Sequence, residues 1–224
     1  MVRMFAVLLA LAALPAAAQT KAPAPKTPLP PTVRVALETS AGHIVIELER
    51  AKAPITTANF LRYVDQKRLD GTVFYRVVRV APKFGFVQFG VQNDPKRVLP
   101  PIAHEPTTQT GLKHLNGTIS IGRFAPGTAR GDFTIMVGDQ PSFDADPTKP
   151  GDNQGYAAFG QVVEGMDVIY KIHDSPLSPT KTSLGAFKGE LLETPVKILS
   201  AKREPVPAAP PAPAPAPSPA SAAQ

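Results

Sequence analysis

The stretch VFYRVVRVAPKFGFVQFG (73–90) sets a permanent cation, Arg76, inside an apolar run rich in phenylalanine. A guanidinium stays ionised at any ordinary pH and carries five donors in one plane. In that setting it is one of two things. It is a snorkelling residue, with its stem on apolar surface and its head in water, or it is the functional point of the segment.

Other residues capable of chemistry are few. The chain has no cysteine, which excludes disulfides, thiolate catalysis and Cys-ligated zinc. His43, His104, His114 and His173 are far apart and lack metal-ligand spacing. His43 reads as an exposed hairpin residue. Ser120, in TISIG, has no local signature of a nucleophile. GDQPSFDADPTKPGDNQG (138–155) is rich in Asp and Gly but lacks the twelve-residue calcium pattern with its closing Glu, and reads as a solvated turn. No metal and no cofactor are expected.

Charge narrows the classes further. The net charge of +6 falls to +4 over residues 32–203, with no basic run longer than two. That is a mixed, solvated surface and not the electrostatic stripe that nucleic acid requires.

The two ends differ from the middle. Residues 1–18 carry Arg3, an apolar run Met4–Leu14, then Pro15 and three alanines. This predicts a signal peptide cut after Ala18, its apolar region too short to span a bilayer, and export to a bacterial periplasm without stable membrane insertion. Proline crowds both flanks, with five in 21–31 and eight in 204–224, against 13 in the 172 residues between. Residues 19–31 and 204–224 therefore read as extended spacers, because proline lacks a backbone donor and fixes its φ.

The middle, 32–203, is long enough to bury a core. TVRVALETSAGHIVIELER alternates apolar and polar around Ser40-Ala41-Gly42, predicting a hairpin of strands 33–39 and 43–49. Residues 53–71 change period. Ile55, Ala58, Phe60, Leu61 and Val64 predict one helical face, with Pro54 in the first turn and Gly71 after the end. Strands follow over 72–80 and around 86–91, then an irregular stretch to 116. Further strands are predicted at 117–122, 131–139, 157–165 and 193–203, with a short helix at 166–175. About eight strands and two helices, early and late, favour an antiparallel barrel over a doubly wound sheet. Strand periodicity would put Phe74, Arg76 and Val78 on one face.

Several pieces in this order, FYRVV, FVQFG, GTISIGRFAPGT, DFTI, PSFD and YAAFGQVVEGMDVI, together with the opening hairpin and helix, resemble the cyclophilin family of peptidyl-prolyl cis-trans isomerases. The resemblance runs from about Val33 to Lys202. It implies a mainly β fold: a closed eight-stranded antiparallel barrel capped by two helices, with an apolar groove on its outer surface. It also implies a partner, proline-containing unfolded or nascent polypeptide, which the export signal makes an exported one; a monomer is expected.

The same resemblance assigns the site. The Arg of its FxR motif falls on Arg76, the catalytic candidate, and the Gln that orients it falls on Gln88. Phe86 is the first choice for the aromatic of the proline pocket and Phe84 the alternative. Gly122 and Arg123 fall on the stretch that pairs with substrate backbone. Phe143 falls on an apolar wall, and Tyr156 on the groove rim. GDFTI departs from the family's SQFFI. Asp132 replaces a Gln and is expected near Arg76, orienting it or competing for it. Thr134 replaces the Phe that floors the pocket, predicting a wider and weaker one. Ser142 stands at the usual Trp position.

Such chemistry needs no nucleophile. The barrier to rotating a peptide bond is about 18–20 kcal/mol and comes from amide resonance. At the twist the prolyl nitrogen regains a lone pair, which a fixed guanidinium could meet. A catalytically weak proline-peptide binder or holdase on the same fold is the alternative. A scaffold recruiting partners through its proline-rich tails is a third reading.

Overall fold

The computed structural model describes residues 29–183 and 186–205. The predicted signal peptide, most of the first predicted spacer and all but the start of the second lie outside the described residues.

Eight antiparallel strands close into a barrel. In chain order they are β1 (Val33–Thr39), β2 (Gly42–Leu48), β3 (Val73–Ala81), β4 (Phe84–Gly90), β5 (Thr118–Ile121), β6 (Asp132–Val137), β7 (Ala157–Glu164) and β8 (Leu191–Glu204). Around the barrel the order is β1-β2-β7-β5-β6-β4-β3-β8, and β8 returns to β1. Closure leaves no unpaired sheet edge. Among the described residues three α-helices accompany the strands: α1 (Pro54–Asp65), a single turn α2 (Thr107–Thr110) and α3 (Met166–Asp174). Thus the barrel and the two capping helices stand as expected, with one short turn added inside the irregular stretch.

The interior is filled by alternate strand residues. Phe74, Val77, Val87, Phe89, Phe133, Ile135 and Phe159 are fully buried. Phe60 of α1 meets Phe133 edge-on at 4.8 Å, and Phe133 in turn meets Phe89 at 5.6 Å. Tyr63 of α1 lies against Gly131, beside the end of β4, whereas His173 of α3 lies against Gly85 at its start. The two helices therefore plug different ends of the barrel.

Helix α1 differs from its predicted form. It ends at Asp65, and Lys67, with φ of 54°, turns the chain before Gly71 is reached. Its buried face runs through Thr56, Asn59, Phe60, Tyr63 and Val64, while Ile55 and Ala58 are exposed. Polar residues take the inner face because they have fixed partners there. The buried Glu105 accepts from Ile55 N (3.0 Å), Thr56 N (2.7 Å) and Thr56 Oγ1 (2.6 Å), satisfying donors that every helix N-terminus leaves open. Asn59 donates to the Arg130 carbonyl at 2.7 Å.

Strand β3 also departs from simple alternation. Phe74 pairs with Phe89 and Arg76 with Gln88, so Tyr75 is an extra residue, a β-bulge. The bulge resets the phase. Phe74 points into the core and Arg76 outward, not to one face together, and Val77 replaces Val78 in the interior. Without the bulge, strict alternation would have turned Arg76 inward beside Phe74.

Candidate active site

The register of the sheet builds a transverse row on the outer face. Arg76 of β3 pairs with Gln88 of β4, Gln88 with Thr134 of β6, and Thr134 with Ser120 of β5. One step along β4, Phe86 pairs with Met136. Gly85 makes this approach possible: a Cβ there would lie 1.9 Å from the Val78 carbonyl oxygen, and its φ is +150°.

Arg76 is held on several sides. Its Nε donates to Glu190 Oε2 at 2.6 Å and its Nη1 to Gln88 Oε1 at 2.9 Å. The Phe187 ring lies over the guanidinium with its centroid 3.9 Å from Cζ, and the Phe86 ring lies at 5.4 Å. The side chain is 18% exposed. Nη2 makes no hydrogen bond among the described residues and is not sealed from solvent.

An aromatic line continues from there. Phe86 meets Phe143 edge-on at 5.7 Å, and Phe143 meets Tyr156 at 5.2 Å. The Arg123 guanidinium lies 5.3 Å from the Tyr156 ring. Two other concavities, of about 310 and 260 Å³, lie around Thr72 and Arg97 and around Leu112 and Gln161, and no aromatic side chain lines either. The Arg76 face is an aromatic strip in which Phe86 is buried and Phe143 and Tyr156 are half-buried.

Residues 34–203 match the family described as cyclophilin type peptidyl-prolyl cis-trans isomerase/CLD. The chain belongs to the cyclophilin family. A peptidyl-prolyl cis-trans isomerase of Acinetobacter baylyi is 35% identical over 171 residues, 75% of this chain and 84% of the relative. One from Streptomyces antibioticus is 37% identical over 171 residues, 75% of this chain and 96% of the relative. A crystal structure of a Cryptosporidium parvum cyclophilin shares the fold, with a TM-score of 0.62 at 18% identity, covering 79% of this chain and 99% of that one. By class this cyclophilin is a peptidyl-prolyl cis-trans isomerase.

Within the cyclophilin barrel the predicted site residues sort clearly. Arg76, Gln88, Phe86, Phe143 and Tyr156 come together on one face. Thr134 sits in the row beside Gln88, nearly buried. Phe84 lies beyond Phe86, its ring beside Gly138. Gly122 is in line with β5, its N–H donated to the Asp132 carbonyl at 2.8 Å. Arg123 is committed to bracing: it pairs with Asp152 and donates to the Gly155 carbonyl, Nε at 2.8 Å.

Asp132 is not beside Arg76. It pairs with Gly90, two residues past Gln88, and accepts from Tyr75 Oη (3.1 Å) and Gln92 N (3.0 Å). Burial pushes its carboxyl pKa upward, against those two donors. The bulged Tyr75, not Arg76, is the β3 side chain that reaches it.

Three positions were missed, two of them in contact with Arg76. Glu190 supplies the carboxylate expected of Asp132, and Phe187 supplies an aromatic cover. Both come from GAFKGELL, just before β8, 114 residues from Arg76 for Glu190. The only sequence signal was a lone Phe and Glu among glycines. The third is His114. Its Nδ1 faces Asp144 Oδ1 at 2.7 Å and its Nε2 faces Ser120 Oγ at 2.9 Å. This Ser–His–Asp order is sealed: Ser120 and the His114 side chain have no exposure, and Ser120 Oγ also lies 3.1 Å from the Ala157 carbonyl. No substrate carbonyl can reach it, so it is a core network beneath the aromatic strip. Burial lowers the His114 pKa even with Asp144 beside it.

Proposed function

We propose that this cyclophilin accelerates X-Pro rotation in exported, unfolded polypeptides, with Arg76 donating to the prolyl nitrogen as the amide twists. The observation that carries the reading is the fixed guanidinium itself, held at Nε and Nη1 with Nη2 unpaired among the described residues, beside an aromatic strip. A planar amide nitrogen offers no lone pair to such a donor, and a twisted one does. The contact therefore strengthens only toward the transition state. A gain of about 10⁵-fold corresponds to roughly 7 kcal/mol. Phe86 and Phe143 grip the ring, with Tyr156 and the Gly122–Arg123 segment flanking the chain.

The charged, apolar and small-residue pattern of residues 1–18 supports export to the periplasm, where the substrates are newly translocated chains and the enzyme acts as a monomer. The mixed surface charge supports polypeptide over nucleic acid as partner.

The test is cis/trans relaxation of a short Ala-Pro peptide with purified enzyme. Arg76→Ala should lower kcat/KM at least about 100-fold, or about 2.7 kcal/mol, with the fold retained. Equal activity in that variant removes the mechanism. A second reading, a proline-peptide binder or holdase with slow turnover, is favoured by Thr134, whose small side chain stands in the row beside Gln88. Micromolar to millimolar peptide binding with little exchange between isomers, seen by NMR, would support it.

A further inference from the structure

We propose that the segment Ala186–Glu190 is a working part of the catalytic face, in which Glu190 is a positioning residue that sets the plane of Arg76 and Phe187 is the second jaw of the same clamp. This rests on Arg76 being the donor to the prolyl nitrogen.

The geometry separates positioning from blockade. Donors of a guanidinium lie in its plane. Phe187 covers a face, its centroid 3.9 Å from Cζ, and so leaves the in-plane N–H groups open. Glu190 takes Nε, the donor nearest the stem, and Gln88 takes one hydrogen of Nη1. Two in-plane bonds at different nitrogens, plus a ring on the face, fix both tilt and rotation. Among the described residues the edge formed by Nη2 and the second hydrogen of Nη1 has no partner, and it is what remains for a substrate.

The segment is itself anchored next to its target. Val77 N donates to the Glu190 carbonyl at 2.8 Å, one residue from Arg76, and Glu190 N donates to the Phe187 carbonyl at 3.0 Å. Arg76 and Leu191 are register partners in the β3–β8 ladder. Phe187 is held at φ of 62°, a left-handed conformation that bulky residues rarely adopt, and its ring is placed on Arg76. A carboxylate at Nε orients without competing for the Nη2 edge. The same carboxylate at Nη2 would have occupied it.

The experiment compares Glu190→Ala, Glu190→Gln, Phe187→Ala and Arg76→Ala on the Ala-Pro peptide, together with the ¹⁵N–¹H signal of Arg76 Nε. Glu190→Ala should lower kcat about tenfold with KM changed less than about twofold, the pattern of an interaction spent on the transition state. Glu190→Gln keeps an acceptor for Nε–H and should restore kcat to within about threefold of wild type. The Nε–H signal should exchange quickly in Glu190→Ala and be protected again in Glu190→Gln. Phe187→Ala should lower kcat about threefold. Unchanged kcat in Glu190→Ala, or faster turnover, overturns the inference, the latter by making Glu190 a brake. Unchanged kcat in Phe187→Ala removes the aromatic's share. In either case loss of activity in Arg76→Ala leaves the donor mechanism standing, whereas wild-type activity there overturns that mechanism instead.

Discussion

A guanidinium on an exposed strand samples many orientations, and a donor that must meet a lone pair for an instant cannot afford them. Gln88 limits that freedom from β4 through its 2.9 Å bond to Nη1. Gln88→Ala should therefore lower kcat/KM about tenfold, or about 1.4 kcal/mol, near the lower end of the roughly 1.5–3 kcal/mol of a hydrogen bond to a charged group. The peptide assay reads this, and a thermal midpoint within a few degrees of wild type separates it from unfolding. Arg76 and Gln88 were legible because each stands in a short motif, FYRVV and FVQFG, and the strand register joins the two motifs. Asp132 was misread for a simple reason. Its residue type announces a carboxylate, but only the register, which sets it opposite Gly90, says which cation or hydroxyl it can reach. Glu190 lay beyond sequence reasoning because no periodicity links a glycine-flanked loop to a strand 114 residues earlier.

Strands are readable from period two and helices from period 3.6, so element type was largely evident and element phase was not. FYRVV contains no glycine to mark its bulge, yet the bulge decides which side chains face out. In α1 the inner face carries Thr56 and Asn59, which hydropathy assigns to water. The burial of Thr56 depends on Glu105, about 50 residues on in an irregular stretch, and that of Asn59 on the Arg130 carbonyl. That carboxylate accepts three hydrogen bonds at the start of the helix while only 1% exposed. Glu105→Ala would leave the Thr56 N–H and hydroxyl buried without their partner, and the Ile55 N–H part-buried without its own. It should cost about 2–4 kcal/mol in urea unfolding. Glu105→Gln, which still accepts through its amide oxygen, should cost about half as much. Since α1 plugs one end of the barrel and Glu105 makes its hydrogen bonds there, none of them to Arg76, folded Glu105→Gln should keep wild-type kcat. A matching fall in kcat would show the two ends of the barrel to be coupled.

At the scale of the whole molecule, the barrel closes when β8 pairs with β1 on one side and β3 on the other, joining residues more than 100 positions apart. Eight alternating segments bounded by turns implied such a closure, because an open sheet would leave edges exposed. The burial that closure imposes has a consequence for acid stability. His114 and His173 are both fully buried, and burial holds each below the ordinary histidine value of 6.5. His173 Nε2 has no partner among the described residues, and Arg79 adds repulsion against its protonated form. A histidine whose folded pKa is depressed binds its proton more weakly when folded than when unfolded. The unfolded chain then takes up protons first as pH falls through 6.5, so folding stability is level above that value and drops from there toward the depressed values. The slope reaches at most about 1.4 kcal/mol per pH unit for each histidine. Asp132 acts in the opposite sense, its raised pKa favouring the folded state as pH falls through the carboxylate range. Urea unfolding from pH 8 to 5 should therefore give a plateau followed by a decline below about 6.5. The double substitution His114→Gln, His173→Gln should flatten that decline even if it lowers the plateau, because glutamine carries no titrating proton. A decline of equal slope in the double variant would assign the acid sensitivity to carboxylates and clear both histidines.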